Sequence, residues 1–289
     1  MLNASGGPGT FGYRWVDSNS GGAAFDFVDI KDIGTVAAVG ADGDITTTLP
    51  FAFPFFGGEY NDVVIAANGF IAFEDLPAAS NFVNRQIPDA LNPKLMIAGL
   101  WDDIEPQDGG GVFYYGTADQ FIVQWEETPG FGFFTAPPAP VTFQIIIFPD
   151  GNIKLQYKNV QSTIATSSTI GLQGPEDDSG LQIIFNNTLV EDGLAISISA
   201  PITGTLAAGE SASFNVPLDA TDLEPGVYQE SVLIASNDPQ NAEFDLPITL
   251  TVLDLPEITS FTLVDARSDE DISPLREGDV IDLDNCSRN

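Results

Sequence analysis

The stretch VTFQIIIFPDGNIKLQY (residues 141–157) decides the fold class. Two apolar runs of strand length flank the turn Pro149-Asp150-Gly151-Asn152. Asp and Gly accept the backbone angles that a tight turn requires, and short apolar runs bounded by such residues are typical of strands. The stretch therefore predicts an antiparallel β-hairpin.

The same pattern recurs on both sides of this hairpin. Residues 112–125 (VFYYGTADQFIVQW) form a second candidate, with Ala118-Asp119 at its turn. Asn68-Gly69, between VVIAA and FIAFE, is the strongest short-range hairpin signal in the chain. FDFVDI contributes a further predicted strand, Phe25–Asp29.

Helical signals are nearly missing, because the best candidate, residues 78–91, is interrupted by Pro88. Many short strands with hairpin turns favour sandwiches. We therefore predict an all-β chain of two consecutive antiparallel β-sandwich domains, one large and one compact and Ig-like, with little or no helix.

Four segments are predicted along the chain, whose 289 residues suffice for about two domains. Residues 1–9 are expected to be disordered or a linker, and residues 10–193 to form the large sandwich. Residues 194–253 carry alternating strands at Ig-like spacing. Residues 254–289 are expected to be a linker and the truncated start of a further β domain.

The charge is strongly one-sided, with 42 acidic against 9 basic residues and a net charge of −33. Binding of phosphate needs clustered Lys and Arg, so a nucleic-acid partner is excluded. No apolar run reaches the roughly 18 residues of a membrane span, so membrane insertion is not expected. The acidity itself has three explanations: solubility of a secreted surface, adaptation to high salt, or specific Ca²⁺ binding.

Residue types that most catalytic schemes require are scarce. The chain has no His and a single Cys, Cys286. This removes the Ser-His-Asp triad, the Cys-His pair, His-ligated zinc and any internal disulfide. With 42 acids, some carboxylate pair will meet the spacing of a glycosidase by chance, so that signal is uninformative. We predict that the chain is not an enzyme.

A candidate calcium site lies in WDDIEPQDGGG (residues 101–111), where four carboxylates precede a Gly-rich turn. Ca²⁺ takes six to eight oxygen ligands from flexible loops. Alternatively, the two adjacent acids make Asx turns and cap backbone N–H groups at a strand exit. The EF-hand order is absent, and no cofactor other than calcium is predicted. The residues concerned are Asp102, Asp103, Glu105 and Asp108.

A candidate contact surface lies in TPGFGFFTAPPAP (residues 128–140). Phe131, Phe133 and Phe134 stand in a Gly- and Pro-rich loop, where the sequence gives them no packing role. We expect them to contact a ligand or a neighbouring module. By contrast, Phe51, Phe53 and Phe55 share one face of a strand by alternation and are assigned to the core, as is Trp125.

Several motifs resemble known families. The ordered series FGYRWVDSN, FDFVDI, LPFAFPFFGGEYNDVVIAANGFIAF, FIVQWEE and TIGLQGPEDDSG is similar to a β-sandwich module of bacterial exoproteins, found beside subtilisin-like peptidases or in large surface proteins. Residues 97–116 (IAGLWDDIEPQDGGGVFYYG) resemble the core motif of the extracellular nidogen-type domain. Residues 203–252 resemble Ig-like domains of bacterial surface proteins.

These resemblances imply an extracellular or cell-surface location, with the secretion signal outside this sequence. They imply a non-catalytic module that acts in adhesion, spacing or domain presentation. Its partners would be neighbouring domains of the same polypeptide and a surface glycan or protein ligand. The alternative is a carbohydrate-binding or accessory segment of a secreted hydrolase, such as a subtilisin-like peptidase.

Overall fold

The structure is a computed structural model that describes residues 2, 4–76, 82–132, 137–201, 210–211, 220, 223–235 and 243–253. The chain divides into two compact units, Met1–Thr205 and Leu206–Asn289. The described residues are nearly all β, which confirms the predicted fold class. Their helical elements are short: α1 (Ile164–Ser167) and the 3-10 turns Ser18–Ser20 and Pro106–Asp108.

The strands of the first unit form two antiparallel sheets. In chain order they are β1 (Ser5–Gly6), β2 (Arg14–Asp17), β3 (Thr35–Ala37), β4 (Asp44–Phe55), β5 (Gly58–Ala66), β6 (Phe70–Ala72), β7 (Met96–Trp101), β8 (Gly111–Gly116), β9 (Phe121–Thr128), β10 (Val141–Ile147), β11 (Ile153–Asn159), β12 (Thr169–Gln173), β13 (Gly180–Phe185) and β14 (Leu194–Ser199). The eight-stranded sheet has the order β1-β2-β14-β11-β10-β9-β8-β3, and the six-stranded sheet β13-β12-β7-β6-β5-β4.

The three predicted hairpins are present. β10 and β11 pair from Ile147 with Ile153 outward, around the Pro-Asp-Gly-Asn turn. β8 pairs with β9, and β5 with β6 across Asn68-Gly69. Turn chemistry alone therefore locates these connections.

The core lies between the two sheets. Phe53, Phe55 and Trp125 are buried, as predicted, whereas Phe51 is half-buried and packs against the core. The Trp125 indole stacks on Phe143, with ring centroids 4.8 Å apart. Two hydrogen bonds cross between the sheets: Trp125 Nε1–H donates to the Ala67 carbonyl at 2.9 Å, and the Tyr157 hydroxyl donates to the Gly99 carbonyl at 2.7 Å. The layers are thus joined by packing and by satisfied polar groups.

Strand β14 changes the expected domain boundary. The sequence assigns residues 194–199 to the second module, but β14 pairs with β11 on one side and β2 on the other. Leu194, Ile196 and Ile198 are buried in the core of the first unit. Alternation marks a strand but does not say which sheet will bury its apolar face, so this assignment needs the three-dimensional pairing.

The segment before residue 10 also belongs to the first unit rather than to a linker. The Leu2 side chain is 5% exposed, and its N–H donates to the Leu189 carbonyl at 3.0 Å. β1 pairs with β2, with Ser5 opposite Val16. A single buried side chain and two paired residues anchor a stretch whose composition resembles a linker.

Residues 22–30, here called the strap, correct a second expectation. Residues 25–29, predicted as a strand, are not a strand of either sheet. The strap crosses the eight-stranded sheet, and its backbone bonds to side chains instead. The Gln156 amide accepts from the Asp26 N–H at 2.6 Å and donates to the Asp26 carbonyl at 2.8 Å. Gln144 bonds Val28 in the same two ways, at 3.2 and 2.9 Å.

The glutamines under the strap form a row that we call the glutamine ladder: Gln124, Gln144 and Gln156. They occupy directly opposite positions on β9, β10 and β11. All three are fully buried. Neighbouring amides are linked, since Gln156 Nε2 donates to Gln144 Oε1 at 3.0 Å. The strap's backbone is thus satisfied in the way a strand partner would satisfy it.

The described part of the second unit is a long antiparallel hairpin of β15 (Gly226–Ala235) and β16 (Glu243–Val252). Its register runs from Gly226 opposite Val252 to Ala235 opposite Glu243. The predicted linker and truncated domain, residues 254–289, lie outside the described residues.

Candidate functional site

The two segments predicted as sites are neighbours in the structure. Beyond β9 the backbone continues alongside the acidic loop, residues 102–108. The Glu105 N–H donates to the Pro129 carbonyl and the Phe131 N–H donates to the Asp103 carbonyl, each at 2.9 Å. These two backbone hydrogen bonds therefore hold the acidic loop against the start of residues 128–140, which we call the Phe131 loop.

Asp102 is occupied by local hydrogen bonds. Its Oδ1 accepts the Asp103 N–H at 2.9 Å, and its Oδ2 accepts the Ser167 hydroxyl at the end of α1. Burial raises the pKa of Asp102, and these two hydrogen bonds oppose that rise. The Asp102 carboxylate therefore caps a backbone N–H at the exit of β7, which is one part of the alternative to calcium binding that the sequence offers.

Asn68 joins the acidic loop to a carboxylate from a distant part of the chain. Its Oδ1 accepts the Ile104 N–H at 2.9 Å, and its Nδ2 donates to Asp42 Oδ1 at 3.1 Å. The Asn-Gly signal predicts the turn but not this second role, because the partner side chain is 26 residues away. Asp42 thus belongs to the acidic site.

The acidic loop concentrates like charges. Burial, then Asp42 and then Asp102 raise the pKa of Asp103 to about 6. Burial likewise raises the pKa of Glu105, with additional contributions from Asp103, Asp42 and Asp108, while a hydrogen bond from Gln107 lowers it. The folded structure therefore holds these carboxylates where neither solvent nor a basic side chain fully compensates their charge.

The arrangement of these carboxylates is relevant to the predicted binding of Ca²⁺. Across the part of the chain that the structure describes, no group of three or more Asp, Glu or Cys side chains is arranged to hold a metal ion. Asp102 and Glu105 accept hydrogen bonds from protein donors. Calcium binding by Asp102, Asp103, Glu105 and Asp108 stays a prediction, which a chelator would test through the melting temperature.

A groove opens beside Phe131, whose side chain is 48% exposed. Its volume is about 630 Å³. The walls come from three places in the sequence: the segment that follows β9, the loop before β10, and residues 161–166, which lead into α1 and form its first turn. The lining residues are Phe131, Pro138, Ala139, Gln161, Ser162, Thr163 and Thr166.

The sequence identifies only part of this groove. Phe131 is among the three predicted contact residues, whereas Phe133 and Phe134 lie outside the described residues. Gln161, Ser162, Thr163 and Thr166 have no motif of their own, and only the fold brings their loop to Phe131. A run of small polar residues before a short helix is too common a pattern to predict a site.

Comparison with known proteins places the first unit in a family. The family model described as NIDO related, that is nidogen-related, matches residues 18–215. This range includes the strap, the acidic loop, the groove and strands β3 to β14 of the two sheets. No solved structure matches the chain significantly. In the described residues no helix has the length and apolarity of a membrane span. Because the match covers more than half of the sequence, the chain belongs to the nidogen-related family.

Proposed function

We propose that this chain is a non-catalytic part of a multi-domain surface or secreted protein, in which it spaces and presents neighbouring domains and takes part in adhesion. Nidogen-related domains are extracellular modules of a non-catalytic type. The absence of His and the single Cys in the sequence support the same assignment. A bacterial source is part of the proposal and is supported by the resemblance to exoprotein modules.

The proposed spacing role is supported by the positions at which the chain enters and follows strand β14 in the first unit. Leu2 is bonded to Leu189, at the end where β14 begins. β14 ends at Ser199, opposite Arg14. Six residues of strand separate these ends by roughly 17 Å at about 3.4 Å per residue. Segments joined on the two sides would therefore be held apart, as a module connected in series requires.

The proposal includes an Ig-like module built around the second unit's hairpin. On one face of that hairpin, Ile234 lies opposite Phe244 and Val232 opposite Leu246. Phe244 is 57% exposed and Leu246 40% exposed. An apolar sheet face of this kind is normally buried against a second layer, which the sandwich architecture supplies.

Localisation tests the proposed function directly. Antibodies against the chain should detect it on intact source cells or in the medium, within a polypeptide larger than the 30.7 kDa of this sequence. External protease should remove the cell-bound signal while a cytosolic marker survives. A protease-protected cytosolic polypeptide of the size of this chain would overturn the proposal. A peptidase domain in the same polypeptide would select the accessory-segment alternative.

A further inference from the structure

The groove beside Phe131 is held in shape by the surrounding backbone. The Phe131 N–H is fixed to the Asp103 carbonyl, and Ile104 forms a β-bridge with Gly130. Gly130 is buried between Ile164 and Pro138, and a Cβ at this position would lie 3.0 Å from each of them. The base of the groove is therefore packed closely by residues that the acidic loop and α1 keep in place.

The two walls of the groove are also tied together. The Ser162 hydroxyl donates to the Ala139 carbonyl at 2.6 Å, which joins the loop before α1 to the loop before β10. Gln161 Nε2 donates to Asp192 Oδ2 at 2.6 Å, so the orientation of this amide is set from outside the groove. A pre-formed groove loses little conformational entropy when it binds a ligand.

The lining combines apolar and uncharged polar groups. Phe131, Pro138 and Ala139 supply apolar surface, while Gln161, Ser162, Thr163 and Thr166 supply neutral polar groups. The Ser162 and Thr166 hydroxyls already donate to backbone carbonyls, so they face a ligand as hydrogen-bond acceptors. Among the residues that the structure describes, no Lys, Arg, Asp or Glu lines the groove. The volume of about 630 Å³ lies within the range of small-ligand sites, about 300–1,000 Å³.

These features select one class of ligand. A sugar ring has an apolar C–H face that packs on an aromatic ring and a rim of hydroxyls that exchange hydrogen bonds with amides and hydroxyls. An anionic ligand is disfavoured by the net charge of −33. The geometry points to a neutral glycan as the occupant, with one sugar residue stacked on Phe131 and hydrogen-bonded to the Gln161–Thr166 wall. This inference rests on the proposed role in adhesion and names its ligand class.

The test is a binding titration of the whole chain with soluble neutral polysaccharides: a β-1,3-glucan, a xylan and an α-mannan. Polygalacturonate is the anionic comparison and chitosan the cationic one. We expect saturable binding to at least one neutral polymer that persists at about 0.5 M NaCl, where electrostatic attraction is screened. Phe131→Ala should weaken it at least tenfold, whereas Phe131→Trp should retain it.

Phe82→Ala is the matched control, because Phe82 is 37% exposed on the same unit but does not line the groove. It should bind as the unsubstituted chain does. Gln161→Leu preserves side-chain size and should weaken binding by a smaller factor than Phe131→Ala. Melting curves of each variant would separate lost binding from lost folding.

Three results would overturn the inference: no binding to any neutral polymer, binding that Phe131→Ala leaves unchanged, or binding to chitosan alone that salt abolishes. The proposed function would survive these results if the chain is found outside the cell. Conversely, glycan binding by a cytosolic polypeptide would overturn the proposed function alone.

Discussion

Asp103 shows how burial and neighbouring charge act together on one carboxyl group. Its backbone carbonyl anchors the Phe131 loop, while its side chain lies among Asp42, Asp102 and Glu105. The sequence identifies the acids at positions 102 to 108 as a cluster. It does not reveal Asp42, which reaches the cluster only through the turn at Asn68. The local pattern predicts the members adjacent in sequence, and tertiary pairing adds the rest.

The pKa of about 6 for Asp103 predicts a pH-dependent stability. The folded state binds this proton more tightly than the unfolded state, whose Asp pKa is about 3.9. The stability that Asp103 contributes is therefore complete below about pH 4 and is lost as the pH rises through about 6. Asp103→Asn should raise the free energy of unfolding at pH 7 by about 1 kcal/mol, after allowance for solvent screening, and change it little at pH 4.

Denaturant unfolding of both proteins at pH 4 and pH 7, in the presence of a chelator, measures this difference. Asp119→Asn, at the β8–β9 turn, is the control and should shift stability equally at both pH values. Equal effects of Asp103→Asn at the two pH values would contradict the account of the acidic loop.

Two glycines with similar backbone angles allow a steric prediction. Gly69 has φ +82° and Gly21 φ +89°. A Cβ at Gly69 would collide with the Leu100 carbonyl oxygen, whereas nothing lies within 4 Å of one at Gly21. Gly21→Ala should lower the free energy of unfolding by about 1 kcal/mol, because alanine is strained in a left-handed backbone conformation. Gly69→Ala should lower it by about 3 kcal/mol, because the collision adds to this strain. Urea unfolding would measure the free energy of unfolding of both variants. Equal losses of stability would show that Gly69 and the Leu100 carbonyl of β7 do not approach each other as described.

At the scale of elements, the strap and the glutamine ladder explain why one predicted strand is absent from the sheets. FDFVDI has the alternation of a strand, yet the chain forms no strand there. The backbone partners are buried amides of three different strands instead of another strand. The sequence shows a glutamine in each of β9, β10 and β11. It does not show that the three lie opposite one another, because that depends on the register in which the strands pair.

The ladder predicts slow hydrogen exchange at strap amides that lack a strand partner. The N–H groups of Asp26, Val28 and Ile30 donate to the ladder at 2.6–3.2 Å and should be protected in the native state. Gln144→Ala should remove protection at Val28 and lower the free energy of unfolding by about 2 kcal/mol, because buried polar groups lose their partners.

Asn61→Ala, an exposed amide on β5, is the control and should leave both exchange and stability unchanged within about 0.5 kcal/mol. Fast exchange at all three strap amides in the unsubstituted chain would show that the strap does not lie on the ladder.

At the scale of the whole molecule, charge is the dominant feature. Ion pairs join Lys94 to Asp177 at 2.8 Å and Lys158 to Asp29 at 3.0 Å. With 42 acids and 9 bases, most acids cannot have a basic partner. The fold class and the three hairpins are predictable from the sequence, because turn residues and alternation act locally. The domain boundary and the groove are not, because they depend on which strands meet.

Self-repulsion of this charge predicts stabilisation by salt. NaCl shortens the screening length from about 30 Å at 0.01 M to about 3 Å at 1 M. The melting temperature should rise by about 5 °C over this range, equivalent to roughly 2 kcal/mol, with most of the rise complete by about 0.3 M. Sucrose is the control at concentrations up to about 0.3 M: it leaves charges unscreened, and its stabilisation by exclusion from the protein surface should be much smaller there than the effect of NaCl. A flat response to NaCl would show that repulsion among the acids is not a major destabilising contribution.

The central claim is that the first unit is a complete module that can stand between other domains, and β14 closes it. Residues 1–205 should therefore unfold alone in one cooperative transition, with intact near-ultraviolet dichroism from the buried Trp125. Residues 1–193 should fail to do so, because β2 and β11 both lose the strand between them. Thermal melts of the two fragments, run side by side, test this directly. Equal melting of both, or no cooperative transition in either, would contradict the account.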